Sequence, residues 1–83
     1  MSSLTFARRI HELAPGEALA YDAQAWRQAI VFIAEGEIEV ACSSGACRRF
    51  GCGSILAFAS LPVRELRNSA NRPARVLFVT RTG

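Results

Sequence analysis

Lysine is missing from this chain: all ten basic side chains are arginine, among 83 residues with a formal net charge of +3. We read that bias as a mark of genomic base composition. The arginines are scattered, and Glu35, Glu37, Glu39 and Glu65 interrupt them. With no basic stripe, nucleic acid is not expected as a partner. Long apolar runs are missing too. None approaches the ~20 residues of a membrane helix, so no membrane partner is expected. Met1 to Leu13 alternates polar and apolar positions and carries Arg8, Arg9 and Glu12. It reads as neither a signal peptide nor a lipidation site, and a cytoplasmic location is expected.

Metal-binding side chains are equally sparse. Histidine occurs once, at His11, and an isolated histidine is more often a packing or surface residue than a ligand. The three cysteines, Cys42, Cys47 and Cys52, are an odd number at even spacing. Zinc sites pair their cysteines more closely, so the spacing matches no zinc motif. Cys42 and Cys47 flank the turn Ser43-Ser44-Gly45-Ala46. Either they face each other across a hairpin as a redox pair, or they are small buried hydrophobes.

What is present points to a folded β protein. A hydrophobic fraction of 51% with 20% charged residues excludes a disordered chain. The length allows one domain, residues 1–83, with a thin stability margin that favours a homodimer. Turn signals recur at Pro15-Gly16, Gly36, Ser43-Ser44-Gly45, Gly51-Cys52-Gly53, Pro62 and Asn68 to Pro73. Short apolar segments between them predict an all-β sandwich or barrel. Strands are predicted at Ala29–Glu35, Glu37–Cys42, Cys47–Phe50, Ser54–Phe58, Val63–Arg67 and Arg75–Thr82. Alternation puts Ile38 and Val40 on one face and Glu37 and Glu39 on the other. Gly36, at the joint, predicts a bulge or bend. Ala18 to Ala29 is ambiguous. Leu19, Ala23 and Trp26 have helical spacing, but the β context favours a strand and a loop.

The order of these segments resembles the cupin superfamily, the RmlC-like jelly roll, from about Ile10 to Arg81. The resemblance rests on Val31-Phe32-Ile33-Ala34-Glu35-Gly36-Glu37-Ile38-Glu39-Val40, and on Gly53-Ser54-Ile55-Leu56-Ala57-Phe58 followed by Asn68. It implies a small all-β cupin-like β-barrel. Counted back from Gly36, the family's glutamate slot falls at Ala29, and its histidine slots fall at or next to Asp22 and Gln24. Counted back from Asn68, the remaining histidine slot falls at Arg64. None of the family's usual metal ligands stands in its slot. An alanine donates nothing, and a guanidinium repels a divalent cation. Neither a metal nor another cofactor is expected.

The resemblance also implies a barrel interior that can serve as a pocket, with Arg64 at its mouth. A buried guanidinium needs an anion. A carboxylate or phosphate ligand can supply one, and so can an internal partner such as Glu35, Glu65 or Asp22. Tyr21, Asp22, Gln24 and Trp26 are the other candidate ligand-binding residues, the aromatic ones as stacking surfaces or as ordinary packing. The leading expectation is a metal-free, non-catalytic module that binds a small anionic molecule or a protein partner. Two alternatives stand beside it. One is a dimeric interaction protein with a filled interior. The other is a metal-independent isomerase or epimerase, for which His11 and Tyr21 are the only acid–base pair available. No catalytic residue is assigned. A cyclic-nucleotide-binding domain shares the jelly-roll outline, but after Gly53 no glutamate comes before Glu65, and the flanking helices are not seen.

Overall fold

The computed structural model describes residues 6–22, 26, 28–58 and 62–81. Eight strands follow one another: β1 (Phe6–Leu13), β2 (Ala18–Ala20), β3 (Ile30–Glu35), β4 (Glu37–Cys42), β5 (Cys47–Gly51), β6 (Ile55–Ala57), β7 (Val63–Arg67) and β8 (Ala74–Arg81). Their antiparallel pairing is nested. β4 pairs with β5, β3 with β6, β2 with β7 and β1 with β8. The chain is thus one long ribbon rolled on itself. Rolling adds the pairs β3 with β8 and β4 with β7. Two four-stranded sheets result, β1-β8-β3-β6 and β2-β7-β4-β5. This is the jelly-roll order.

A closed barrel was expected, and here the structure corrects the sequence. Among the described residues no hydrogen-bonded ladder joins the two sheets. The reason lies in strand length: β2 and β6, each on an edge, have only three residues each and offer too short a ladder to close the roll. Side chains hold the sheets together instead. Val31, Ile33, Val76 and Phe78 from the first sheet meet Ile38, Val40, Val63 and Leu66 from the second, all buried. Strand alternation delivers them, including the Ile38 and Val40 face read from the sequence.

The predicted strands recur with small shifts. β3 begins at Ile30 rather than Ala29, β6 is trimmed to Ile55–Ala57, and β8 begins at Ala74. The predicted end of β8, Thr82, lies outside the described residues. Among the described residues of Ala18 to Ala29, Ala18–Ala20 alone is strand and Trp26 is helical. The Trp26 amide donates to the Asp22 carbonyl at 2.8 Å, the i to i−4 bond of an α-turn. The helical spacing noted in the sequence had a local basis. Phe6–Leu13, left unassigned by the sequence, is a full strand.

Two positions fix the roll. Gly36 has φ +77°, and a Cβ there would lie 2.9 Å from the Pro73 carbonyl oxygen. Gly36 is a bend, as expected at this joint, and beside it the β3–β8 register shifts between Ile33 and Glu35. Asn68 is fully buried. Its amide nitrogen donates to the Leu13 and Arg72 carbonyls at 2.9 and 2.6 Å, and its Oδ1 accepts from the Ala70 amide at 3.0 Å. Its backbone also pairs with Gly16 and Glu17. One side chain therefore ties the β1–β2 corner to the β7–β8 connection.

The hairpin register bears on the cysteines. Cys47 pairs with Ala41, not Cys42. All three thiols are free. Cys42 packs partly against the core, whereas Cys47 and Cys52 are exposed, so burial holds for Cys42 alone.

Candidate functional site

The inner face of the first sheet changes character along its length. On β1 the inward positions are Ala7, Arg9, His11 and Leu13, opposite Thr80, Phe78, Val76 and Ala74 on β8. Leu13 and Ala74 are buried, His11 is half-buried, and Arg9 and Ala7 are exposed. The two sheets enclose the first end and leave the second open. β1 runs for eight residues, whereas β2 has three and covers less of it. A concavity of about 490 Å³ fills the open end.

Its floor is aromatic. Phe78 stands at the centre, with the His11 ring edge-on at 5.0 Å and the Trp26 ring tilted at 5.1 Å. Trp26 is braced from behind by Phe58 at 6.0 Å and edge-on by Tyr21 at 5.3 Å. Edge-to-face and tilted contacts at these distances favour a rigid cluster. The rim is polar, with Arg9, Asp22 and Gln28 among its lining residues. Burial holds the His11 imidazole below the ordinary histidine range, and the nearby Arg9 guanidinium adds to the effect. At neutral pH His11 is therefore uncharged, and Arg9 supplies positive charge to this face.

The residues singled out from the sequence divide. Trp26 and Asp22 line the concavity. Tyr21 is half-buried and supports Trp26 from outside the lining. Gln24 lies outside the described residues. Arg64 is exposed on β7 and is not among the lining residues. Two of the acids considered as its internal partners bind other arginines. Glu65 accepts from Arg67 at 2.8 Å, and Glu35 lies 3.7 Å from Arg75. Arg64 falls in the irregular stretch between Val63 and Glu65, where β4 and β7 slip register between Ala41 and Cys42.

Arg9, Gln28 and Phe78 were not foreseen as site residues, and His11 was named only as a possible acid–base partner of Tyr21. The alternation Ala7, Arg9, His11, Leu13 carried the signal for four positions on one strand face, the last of them apolar. The slots where the cupin resemblance would place a metal do not fit one. Ala29 is buried with no donor, and the Arg64 slot holds an exposed cation. Among the described residues no three of His, Cys, Asp and Glu are gathered as ligands.

No protein-family model matches the chain, and no curated protein matches it in sequence. Solved structures do match in fold. Oxidized CprK in complex with o-chlorophenolacetic acid is similar with a TM-score of 0.58 at 18% identity, over 87% of this chain and 32% of that one. A regulatory subunit of a cAMP-independent protein kinase A from Trypanosoma brucei is similar with a TM-score of 0.55 at 17% identity, over 87% of this chain and 30% of that one. This chain thus spans about a third of the length of either. The likeness shows the two-sheet fold and does not show the cupin family. Glycine spacing in a rolled ribbon is common to several jelly-roll families, so it could indicate the roll without separating its members.

Proposed function

We propose that the chain is a metal-free, non-catalytic binding module, cytoplasmic in setting, for a small organic anion with an aromatic or apolar body. The ring of such a ligand lies against Trp26 and Phe78, and its charged end meets Arg9. The observation that carries this reading is the placement of an arginine beside an aromatic floor on one strand face, within a concavity of about 490 Å³. That volume lies in the range of small-molecule sites, which combine apolar walls with a few polar groups. A guanidinium at such a rim suits a carboxylate, which it can hold with two parallel bonds. The ligand in the CprK structure, o-chlorophenolacetic acid, belongs to this chemical class. Arg64, exposed outside the concavity, yields the anion-binding role to Arg9.

Trp26 is the only tryptophan, so its fluorescence reports on the floor directly. Titration with substituted phenylacetic acids should quench or shift it saturably. Arg9→Gln should weaken binding roughly tenfold to a hundredfold, the loss expected for one charge-assisted contact. Arg64→Gln should bind as the parent does. If no aromatic acid saturates the signal, or Arg9→Gln binds equally well, the reading fails.

His11 adds a pH dependence whose sign is fixed. Its folded pKa is lowered from 6.5, so the unfolded chain takes up a proton first as pH falls. Stability should therefore hold above about pH 6.5 and decline below it. A bound anion beside His11 favours the protonated ring, so affinity should rise over the same interval. His11→Gln should flatten both slopes, as followed by melting temperature and by titration at stepped pH.

A further inference from the structure

The face of the first sheet that points away from the concavity is also unusual. Register places Ile10 beside Leu77, Leu77 beside Phe32, and Phe32 beside Ile55, an apolar row crossing all four strands. Ile10 is 63% exposed, Ile55 69% and Phe32 37%. The next row holds Arg8, Val79, Ile30 and Ala57, and Ile30 is exposed as well. Together the exposed isoleucines and phenylalanine form a patch on the order of 500 Å², the size of the largest apolar patch on an ordinary monomer, and such patches are often functional.

We propose that this face docks against the same face of a second copy of the chain. The argument is self-complementarity. Arg8 and Glu12 lie on the same face of β1, two residues to either side of Ile10. A two-fold axis running along the Ile10–Leu77–Phe32–Ile55 row stacks each of these residues on its own counterpart. It also carries Glu12 of one copy onto Arg8 of the other, twice over. The charges, solvated in a single copy, also match across this axis. Arg75 alone serves two carboxylates, Glu12 and Glu35, each at 3.7 Å, whereas Arg8 makes no ion pair among the described residues. The row Glu12–Arg75–Glu35 is one cation short, and Arg8 from a second copy supplies it. An isologous interface of this kind is self-matching by symmetry. Stacked sheets pack about 10 Å apart, the spacing such a row of side chains fills. The concavity lies mainly on the other side of the sheet; Arg8, which also borders it, is the one residue the two proposals share, and Phe32 and Ile55 test the dimer apart from the site.

Sedimentation equilibrium of the 83-residue chain over a wide concentration range tests this. A monomer–dimer equilibrium is expected. Phe32→Glu should weaken it by more than about a hundredfold, placing a charge at the centre of a desolvated face. Ile55→Lys on the short β6 strand is the second probe if Phe32→Glu loses its circular-dichroism spectrum. Arg8→Glu should weaken the dimer roughly tenfold, and Arg8→Glu with Glu12→Arg should restore it. A chain that stays monomeric at every concentration overturns the proposal. So does a dimer indifferent to Phe32→Glu and Ile55→Lys, or a charge reversal that the double variant fails to rescue.

Discussion

The two sheets share a core and a topology yet present opposite outer faces. In the first, the row crossing the strands reads Ile10, Leu77, Phe32, Ile55. In the second, the corresponding row reads Ala18, Arg67, Glu39, Arg49. Arg67 there lies 2.8 Å from Glu65 and 3.5 Å from Glu39, and Arg49 lies 4.0 Å from Glu37. The hydrogen bond and charge of Glu65 raise the Arg67 pKa further above its ordinary value. An antiparallel sheet normally turns one face to the core and one to water. The second sheet does so, and the first turns an apolar face outward. Composition alone cannot tell these sheets apart, because the difference lies in which residues share a register row.

The comparison can be broken at its common part first. Leu66→Ala beneath the second sheet and Val76→Ala beneath the first both remove fully buried side chains. The leucine truncation should cost about 2–5 kcal/mol and the smaller valine somewhat less, as measured by denaturant unfolding. If either were nearly neutral, the two sheets would not share one core. Gly36→Ala comes next, because it forces a Cβ against the Pro73 carbonyl at a positive φ. It should cost roughly 2 kcal/mol or more and loosen the first sheet selectively, seen as faster amide exchange on β3 and β8 than on β4 and β7. The smallest effect belongs to the charged outer row. Arg67→Gln should lower the melting temperature slightly in dilute buffer, and the loss should vanish at high salt. A large, salt-independent loss would mean the second sheet's outer face is also packed against something.

Much of this roll was legible locally. Gly36 announced its bend, Glu37 to Val40 their alternation, and the Ser43-Ser44-Gly45 turn its hairpin, because each depends on neighbours within a few residues. The site was legible only in part. Trp26 and Asp22 were named from their place in the chain and do line the concavity. Arg64 was placed by counting along a motif, and a register slip of the kind found between β4 and β7 leaves no mark in a sequence. Arg9 was missed, and His11 was named without its neighbours, because their site depends on β1 meeting β8, a pairing between residues near opposite ends of the chain. No local signal specifies such a long-range ladder. The chemistry it assembles becomes visible only once the ribbon is rolled.

The nesting of the strands also sets the first and last strands side by side. Phe6 lies opposite Arg81, and the next pair inward, Ala7 and Thr80, lines the concavity. Both passages of the backbone therefore stand side by side at the mouth of the site. The outermost rung of the ribbon is thus also a wall of the concavity.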